Sequence, residues 1–456
     1  MEVLEEHRAA LGATELRAHS SAHGTELAMT GLRLALEDGD AERLFEWAER
    51  WRAGAIRARP VRPPEDAALA SELAELRRVV HELEAAVLRG GDTAALLRQQ
   101  AGIEEAVRRR ARRAAGGAAP GCDIGPSAET VAGALGGKAL VELTELDGRL
   151  YAVVIRAEAV RLRELGSSAE ADHELQGLQF ALRRLARSSA GPGVTAAALT
   201  AALHAAKRLD GLILEPLAVD IADRPLVIAP TGTLHAMPWS MLPSCRGRPV
   251  TVTPCAALWH TATTAERSGG RTGRVVLVAG PDLPHAGDEI RRLGRRYPDA
   301  DRLVGRKART AAVLAALDGA ALAHVAAHGS FRADNPLFSA IRLADGPVTV
   351  YDLEGLERPP EVLLLSACES GLSAVRPGDE LMGLAASVLS LGTRTLVASV
   401  VAVPDDHTAH LMVALHRHLQ AGAGPAEALC RAQGSVDTTD GRAVAASAAF
   451  ICFGAG

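Results

Sequence analysis

Residues 361–368 read EVLLLSAC, an apolar run that ends in the cysteine Cys368. A continuous apolar run of this length is typical of a strand that is buried on both faces, as the strands of parallel sheets are. Similar runs occupy residues 274–280, 321–329, 394–401 and 448–454. Helices are predicted between them, from Asp288 or Glu289 and over residues 310–317, 379–391 and 406–419. Strands that alternate with helices predict an α/β fold, a mainly parallel sheet flanked by helices.

Upstream, residues 139–155 (ALVELTELDGRLYAVVI) form two alternating runs on either side of Asp147-Gly148. An Asp-Gly pair between two such runs is a strong hairpin signal, because the tight turn needs residues that tolerate a positive φ. Helical segments are predicted near residues 170–207. Residues 225–239 (PLVIAPTGTLHAMPW) are too poor in glycine to cradle a phosphate and are predicted to form a strand and a turn.

The first 115 or so residues have a helical pattern. Two short helices, over residues 25–38 and 41–53, are separated by Asp38-Gly39-Asp40, where the glycine ends one helix and Asp40 caps the next. A longer helix follows, with apolar residues in heptad spacing at Leu69, Leu73, Leu76, Val80, Leu83 and Val87. This seam favours an intramolecular hairpin with a helix over residues 93–113, and the alternative is a partner helix or self-association.

The length and punctuation of the chain predict its domains. A chain of 456 residues is too long for one core, and residues 116–121 (GGAAPG) are typical of a linker. We therefore predict an all-helical domain over residues 1–120 and an α/β domain over residues 121–456. In the second domain, residues 121–270 are the N-terminal part and residues 271–456 carry the chemistry.

The composition is ordinary for a soluble globular protein, with 48% hydrophobic residues, 23% charged residues and a net charge of -5. That charge gives no reason to expect nucleic acid or a membrane as partner, and the basic cluster over residues 108–113 is interpreted as a solvated helix end. The acidic N-terminus lacks a signal peptide's apolar core, so a cytoplasmic protein with six free cysteines is expected. Residues 382–403 are apolar, but Gly392-Thr393-Arg394 divides them into pieces too short to span a bilayer.

His328 ends the run over residues 321–329 in the same way that Cys368 ends its own run. If the two strands are parallel neighbours, both side chains lie at the edge of the sheet where ligands usually bind. A thiol with a pKa of about 8.5 is mostly protonated at neutral pH, and a nearby imidazole can accept its proton. The backbone N–H groups of Gly329 and Cys368 are candidate oxyanion donors. A small buried structural cysteine is the alternative.

Residues 324–331 (HVAAHGSF), 363–371 (LLLSACESG) and 378–400 (GDELMGLAASVLSLGTRTLVASV) together resemble the CHAT domain, a bacterial branch of the caspase and separase clan of cysteine peptidases. The resemblance covers roughly residues 130 to 456. It implies a caspase-like fold and a thiol endopeptidase with His328 and Cys368 as its dyad. It also implies regulation by TPR-like helices, latency until a signal or protein partner arrives, and a link to antiphage defence. No cofactor is implied.

Other residues near the cysteine suggest specificity. Glu369, Asp379 and Glu380 are candidates for a substrate pocket, where a carboxylate would select a basic residue before the cleaved bond. Asp379 or Glu380 equally fits the cap or first turn of the helix predicted there. Residues 404–419 contain four histidines that do not converge on one helix face, so we predict a capped, partly exposed helix without a metal site. The rival interpretation of the chain is a pseudoprotease, a CHAT-like scaffold that binds proteins.

Overall fold

An eleven-stranded sheet dominates the computed structural model, which describes residues 25–52, 67–113, 125–187, 192–265, 273–332, 336–366, 374–376, 380–382, 384–401 and 403–456. In chain order its strands are β1 Ala139–Leu146, β2 Arg149–Arg156, β3 Ala159–Ser167, β4 Leu226–Ala229, β5 Val250–Val252, β6 Val275–Ala279, β7 Asp301–Val304, β8 Leu322–Ala326, β12 Val362–Ser366, β15 Thr395–Ser399 and β16 Phe450–Gly454. Five short strands lie outside it, namely β9 Gly329–Ser330, β10 Ala340–Leu343, β11 Gly346–Thr349, β13 Ala374–Arg376 and β14 Glu380–Met382.

The strand order in the large sheet is β3-β2-β1-β4-β5-β16-β15-β12-β8-β6-β7. All neighbours from β15 to β7 are parallel, as are β1 with β4, β4 with β5 and β5 with β16. Antiparallel pairing occurs between β2 and each of its neighbours and between β15 and β16. The predicted mainly parallel sheet is therefore confirmed.

Helices cover this sheet and precede it. The described helices longer than one turn are α1 Thr25–Glu37, α2 Ala41–Arg52, α3 Ala67–Leu88, α4 Ala94–Arg113, α5 Ala128–Leu135, α6 Ser168–Ala186, α7 Pro192–Ile213, α9 Ala256–Thr264, α10 Ala286–Arg296, α11 Thr310–Leu317, α13 Leu384–Leu391, α14 Asp405–Gln420, α15 Pro425–Gly434 and α16 Gly441–Ala449. Single turns of helix are α8 Ala218–Ile221 and α12 Val350–Leu353.

Side chains alternate between two cores along the strands that carry the candidate site. Val276, Val278 and Val325 enter the main core, whereas Leu277 and Ala326 enter a separate cluster. That cluster contains apolar residues of α10, and both α10 and α14 pack on this face of β6, β8 and β12. Because both faces are covered, these strands read as continuous apolar runs in the sequence.

The hairpin predicted around Asp147-Gly148 is confirmed. β1 and β2 pair antiparallel, and both turn residues have a positive φ, 50° for Asp147 and 77° for Gly148. A further strand, β3, extends this hairpin and was not predicted. Its sequence, AVRLRELGS, mixes arginine and glutamate with apolar residues, and the strand is partly exposed at the edge of the sheet, where burial imposes little apolar pattern.

The first two helices, α1 and α2, agree with the prediction. Gly39 has a φ of 65° between them, and the Asp40 carboxylate accepts hydrogen bonds from the N–H groups of Glu42 at 3.1 Å and Arg43 at 3.0 Å. Both helices share an apolar cluster with β1 and β2, which includes Leu32, Phe45, Trp51, Leu140 and Ile155. They are thus packed on the end of the sheet.

Helix α2 also binds the sheet region through buried charges. The Glu49 carboxylate, 2% exposed, accepts hydrogen bonds from the N–H groups of Ala256 at 2.7 Å and Ala257 at 2.8 Å, in the first turn of α9. Arg52 is fully buried, donates to the carbonyl of Leu143 and lies 3.5 Å from the Glu142 carboxylate. A carboxylate at a helix N-terminus satisfies backbone donors that the helix leaves unpaired.

The predicted hairpin of α3 and α4 is confirmed, but its apolar seam is only partly as expected. Leu69, Leu73 and Leu76 are buried, whereas Val87 is 61% exposed and Ala86 is buried instead. The placement of Val87 in the seam is therefore wrong. An α-helix of 3.6 residues per turn drifts from a heptad repeat, and α3 also packs against β11, so the buried face moves around the helix.

The segment after Cys368 also differs from the prediction. Helix α13 begins at Leu384, and Glu380 lies in β14, where it pairs with Arg376 of β13. The predicted helix start at residue 379 is therefore wrong, and Glu380 is not a first-turn helix residue. The sequence between β13 and β14, Pro377-Gly378-Asp379, favours a turn between two short strands.

The apolar residues 382–403 contain α13 and the buried strand β15, as predicted. Within the described ranges, no helix combines the length and the apolar content needed to cross a membrane.

Candidate active site

The strands that lead to His328 and Cys368 lie side by side. β8 and β12 are parallel neighbours, with His324 paired to Leu364 and Ala326 paired to Ser366. His328 follows Ala326 by two residues, and Cys368 follows Ser366 by two residues. Cys368 itself lies outside the described residues. The expectation that the two strands are parallel neighbours is confirmed. Their last pair, Ala326 and Ser366, lies two residues before His328 and Cys368 respectively.

His328 is partly exposed beyond the end of β8. Its Nε2 atom lies 3.0 Å from the backbone carbonyl oxygen of Asp282. A carbonyl oxygen only accepts hydrogen bonds, so Nε2 is the nitrogen that donates. In a neutral imidazole the other nitrogen, Nδ1, then carries a lone pair and can accept a proton.

Asp282 reaches His328 from the loop after β6. Its φ of 58° is uncommon for a residue other than glycine. The loop begins at Gly280, where a Cβ atom would lie 2.6 Å from the Cβ of Ala327 and 2.7 Å from the carbonyl oxygen of Arg342, so only glycine fits. Sequence reasoning found no partner for His328 besides the cysteine, because a contact through a backbone carbonyl leaves no side-chain signal.

Gly329 begins the short strand β9, which pairs antiparallel with β10. The N–H group of Arg342 donates to the carbonyl of His328 at 2.8 Å. In an antiparallel ladder this makes Gly329 and Ile341 a pair that exchanges no hydrogen bonds. The N–H group of Gly329 therefore points away from β10.

The second histidine of β8, His324, is fully buried and lies away from this rim. Its Nε2 atom is 2.6 Å from the Glu289 carboxylate of α10, and its Nδ1 atom is 3.1 Å from Nε2 of His416 on α14. His416 is also fully buried, although the helix as a whole is partly exposed, as predicted, for example at His410. Among the described residues, no three histidine, cysteine or acidic side chains gather as metal ligands would.

The acidic candidates for a substrate pocket fall mostly outside the described residues. Glu369 and Asp379 lie there, and Glu380 is described through its backbone in β14. Its strand is followed at Leu384 by helix α13, which packs on β15 and β14.

Three of the four described cysteines have environments that suppress thiolate formation. Burial raises the pKa of Cys452 to about 12 and raises the pKa values of Cys245 and Cys430. These three residues line a mostly apolar cavity of about 490 Å³ between α7, α15, α16 and β16. A thiol that stays protonated is a poor nucleophile, so none of the three competes with Cys368 as a candidate.

The α3–α4 hairpin contacts the segments around His328 through ion pairs. Glu84 of α3 lies 3.0 Å from Nη2 of Arg342, and the same nitrogen lies 3.1 Å from the Asp282 carboxylate. Glu104 of α4 accepts hydrogen bonds from Arg332 at 3.1 and 3.3 Å. Three contacts in series therefore connect α3 with the candidate site. They join Glu84 to Arg342, Arg342 to Asp282 and Asp282 to His328.

Comparisons with known proteins agree with this architecture. Two solved structures of the Saccharomyces cerevisiae separase–securin complex are similar to the chain, with TM-scores of 0.57 and 0.55 at 11% and 10% sequence identity. Each comparison covers 97% of this chain and 37% of the other chain, so the protein corresponds to little more than a third of that length. At identities this low, the structural similarity shows a shared fold and nothing more.

No curated protein matches the chain. A family model described as "CHAT domain" matches residues 203–455, which is more than half of the chain and extends from within α7 through the closing strand β16. It includes both strands that lead to His328 and Cys368. The protein therefore belongs to the CHAT domain family and has a separase-like fold.

Proposed function

We propose that the protein is a caspase-like cysteine endopeptidase that cleaves a specific protein substrate through a dyad of His328 and Cys368. Membership in the CHAT domain family supports a cysteine peptidase. The observation that carries the proposal is the register of β8 and β12, in which the residues two positions before His328 and Cys368 are paired across parallel strands. The hydrogen bond from Nε2 of His328 to Asp282 supports the same proposal, because it directs basicity to Nδ1.

In the proposed reaction, Nδ1 of His328 accepts the proton of the Cys368 thiol, and the thiolate sulfur attacks the carbonyl carbon of the substrate peptide bond. The C–N bond then breaks, and His328 gives the proton to the leaving amine. A thioester remains on Cys368. Water, deprotonated by His328, hydrolyses the thioester and restores the thiol.

The negative charge that develops on the substrate carbonyl oxygen needs preorganised donors. We assign this role to the backbone N–H groups of Gly329 and Cys368. For Gly329 the assignment is supported by the ladder geometry, since its N–H group points away from β10.

We further propose that Glu369, Asp379 or Glu380 contributes a carboxylate to the substrate pocket, which would favour lysine or arginine before the cleaved bond. Peptides that differ only in carrying Lys, Arg, Leu or Asp at that position would test this assignment. Preferred cleavage after Leu or Asp would refute it.

We propose that residues 1–120 form a helical regulatory domain and residues 121–456 form the peptidase domain. The regulatory domain keeps the peptidase inactive in the cytoplasm until a protein partner binds. Three contacts that link α3 to His328 through Arg342 and Asp282 support a route for such control. The solved relatives are complexes of separase with securin, which supports a protein partner. A role in bacterial defence and self-association through the helices are part of the same proposal.

Two measurements test the proposed activity. Wild type and Cys368→Ala are each expressed together with the products of neighbouring genes, and cleaved proteins are identified by mass spectrometry. We expect one cleavage product, from a partner or from the chain itself, that is present with wild type and absent with Cys368→Ala. Identical patterns in the two samples would refute the peptidase.

Alkylation by iodoacetamide separates the peptidase from the inactive scaffold. In the peptidase, Cys368 reacts faster than the other five cysteines, and His328→Ala slows the reaction at pH 7 by about 10-fold or more, because an unassisted thiol is only a few per cent thiolate there. Reactivity of Cys368 equal to that of the other cysteines would support the scaffold.

A further inference from the structure

A row of polar side chains runs through the buried face of the sheet, away from the rim that carries His328. The hydroxyl of Tyr297 lies 3.1 Å from Nδ1 of His416, and Nε2 of His416 lies 3.1 Å from Nδ1 of His324. Nε2 of His324 is 2.6 Å from one oxygen of Glu289, whose other oxygen is 3.4 Å from the hydroxyl of Ser366. We call these five residues the Glu289 network.

The Glu289 network is buried where charge is costly. His324 and His416 are 0% exposed, Glu289 is 1% exposed and Ser366 is 4% exposed. A buried carboxylate is tolerated when hydrogen-bond donors surround it. Here every hydrogen bond of the network can donate in the direction of Glu289. Tyr297 donates to His416, His416 to His324, and both His324 and Ser366 to Glu289, so each ring nitrogen has a partner. Burial, together with His324 and Arg296, holds the pKa of His416 well below its usual range, in agreement with a neutral ring.

The two oxygens of Glu289 contact two neighbouring strands. His324 belongs to β8 and precedes His328 by four residues, and Ser366 is the last residue of β12 and precedes Cys368 by two. Glu289 comes from α10, which packs on this face of β6 and β8. One buried side chain therefore contacts both strands that lead to the proposed dyad, at the middle of β8 and at the last residue of β12.

We propose that Glu289 is a positioning residue, which through His324 and Ser366 fixes β8 and β12 relative to each other so that His328 and Cys368 stay within proton-transfer distance. The inference rests on the proposed dyad, and it assigns no contact between Glu289 and substrate. Small displacements of catalytic groups reduce rates strongly, by about 100-fold for 1 Å in sensitive cases, so we expect a side chain that sets the spacing of the two strands to have a large effect on chemistry.

The test measures iodoacetamide alkylation of Cys368 as a function of pH, with modification located by mass spectrometry, and records thermal unfolding of the same samples. Ser366→Ala removes only the contact with β12, Glu289→Ala removes both contacts, and Glu289→Gln keeps an acceptor for His324 and a donor for Ser366. Thr253→Val is the matched control, because it removes a buried hydroxyl that donates to the Cys255 carbonyl at 2.7 Å, beside β5.

In wild type we expect the alkylation midpoint to lie below the ordinary thiol pKa of about 8.5. Ser366→Ala should raise that midpoint and slow the reaction at pH 7 by about 10-fold, Glu289→Ala should do so more strongly, and Glu289→Gln should restore it to within about threefold of wild type. Thr253→Val should lower the unfolding temperature without moving the midpoint. A role in stability alone would change the folded fraction and leave the midpoint in place.

The outcomes separate the two proposals. If wild-type Cys368 shows fast alkylation that depends on His328, but Ser366→Ala and Glu289→Ala leave the midpoint unchanged, the positioning role is wrong and the dyad stands. If wild-type Cys368 shows no such reactivity, the dyad fails and the positioning role fails with it. Should Glu289→Ala not fold, Ser366→Ala and Glu289→Gln decide the matter.

Discussion

Removal of the Glu49 carboxylate is expected to release α2 from the sheet region. In wild type this buried carboxylate accepts hydrogen bonds from the N–H groups of Ala256 and Ala257, at 2.7 and 2.8 Å. Both donors belong to the first turn of α9 and are buried, with exposures of 0% and 6%. In Glu49→Ala the two N–H groups lose this charged acceptor and are screened from water by the surrounding apolar cluster.

The expected loss of stability follows from the number of hydrogen bonds that Glu49 accepts. Leaving one buried donor without an acceptor costs about 1–3 kcal/mol, and a negative charge at a helix N-terminus contributes about 0.3–1 kcal/mol more. For two donors, with partial relaxation of the cluster, we expect a loss of about 3 kcal/mol. That loss corresponds to a more than 100-fold rise in the population with α2 detached, since about 1.4 kcal/mol is a factor of 10.

Tryptophan fluorescence during urea unfolding is a suitable assay, because Trp47 and Trp51 lie on α2 and the buried Trp259 lies on α9. These are three of the four tryptophans in the chain. We expect Glu49→Ala to shift the transition to lower urea. The matched control is Glu46→Ala, an exposed glutamate on the same helix, which should leave the transition nearly unchanged. Equal shifts for the two variants would refute the argument that Glu49 anchors α2.

Three other changes have defined outcomes. Gly280→Ala should destabilise the protein by about 1–3 kcal/mol, because its Cβ would meet Ala327 and the Arg342 carbonyl, whereas Gly287→Ala, with nothing within 4 Å, should not; thermal unfolding of both variants checks this. Cys452, whose pKa burial raises to about 12, should resist iodoacetamide in the native protein and react after unfolding, and rapid native labelling detected by mass spectrometry would contradict this. The pKa of His407 is raised, since hydrogen bonds and ion pairs with Asp406 and Asp440 outweigh burial, which lowers it. The stabilisation by protonated His407 should therefore be full below about pH 6.5 and lost as pH rises through the folded-state pKa. In denaturant unfolding, His407→Gln should lower stability at pH 5.5 and have little effect at pH 9. An equal loss at both pH values would exclude the ion pairs of His407 with Asp406 and Asp440 as the cause.

Patterns in the sequence were sufficient for the regular parts of the fold. The apolar runs over residues 321–329 and 361–368 predicted β8 and β12, because strands buried on both faces carry mostly apolar side chains, here interrupted by His324 and Ser366. The hairpin at Asp147-Gly148 and the cap at Asp40 were predicted because their backbone geometry demands particular residues. The β13–β14 pair was missed because two strands of three residues are too short for any periodicity.

The sequence by itself determined the alternation of long buried strands with helices, the two strand ends marked by His328 and Cys368, and the family resemblance, because all of these depend on residue type and local spacing. Only the tertiary structure decided that the two strands are neighbours in register, that Asp282 meets His328 through a backbone carbonyl, and that Glu289, His324, His416 and Ser366 form one buried network. The physical reason is that burial and hydrogen bonding between distant segments depend on which elements pack together, so a histidine on a helix such as α14 has no defined environment until α10 and β12 pack against it.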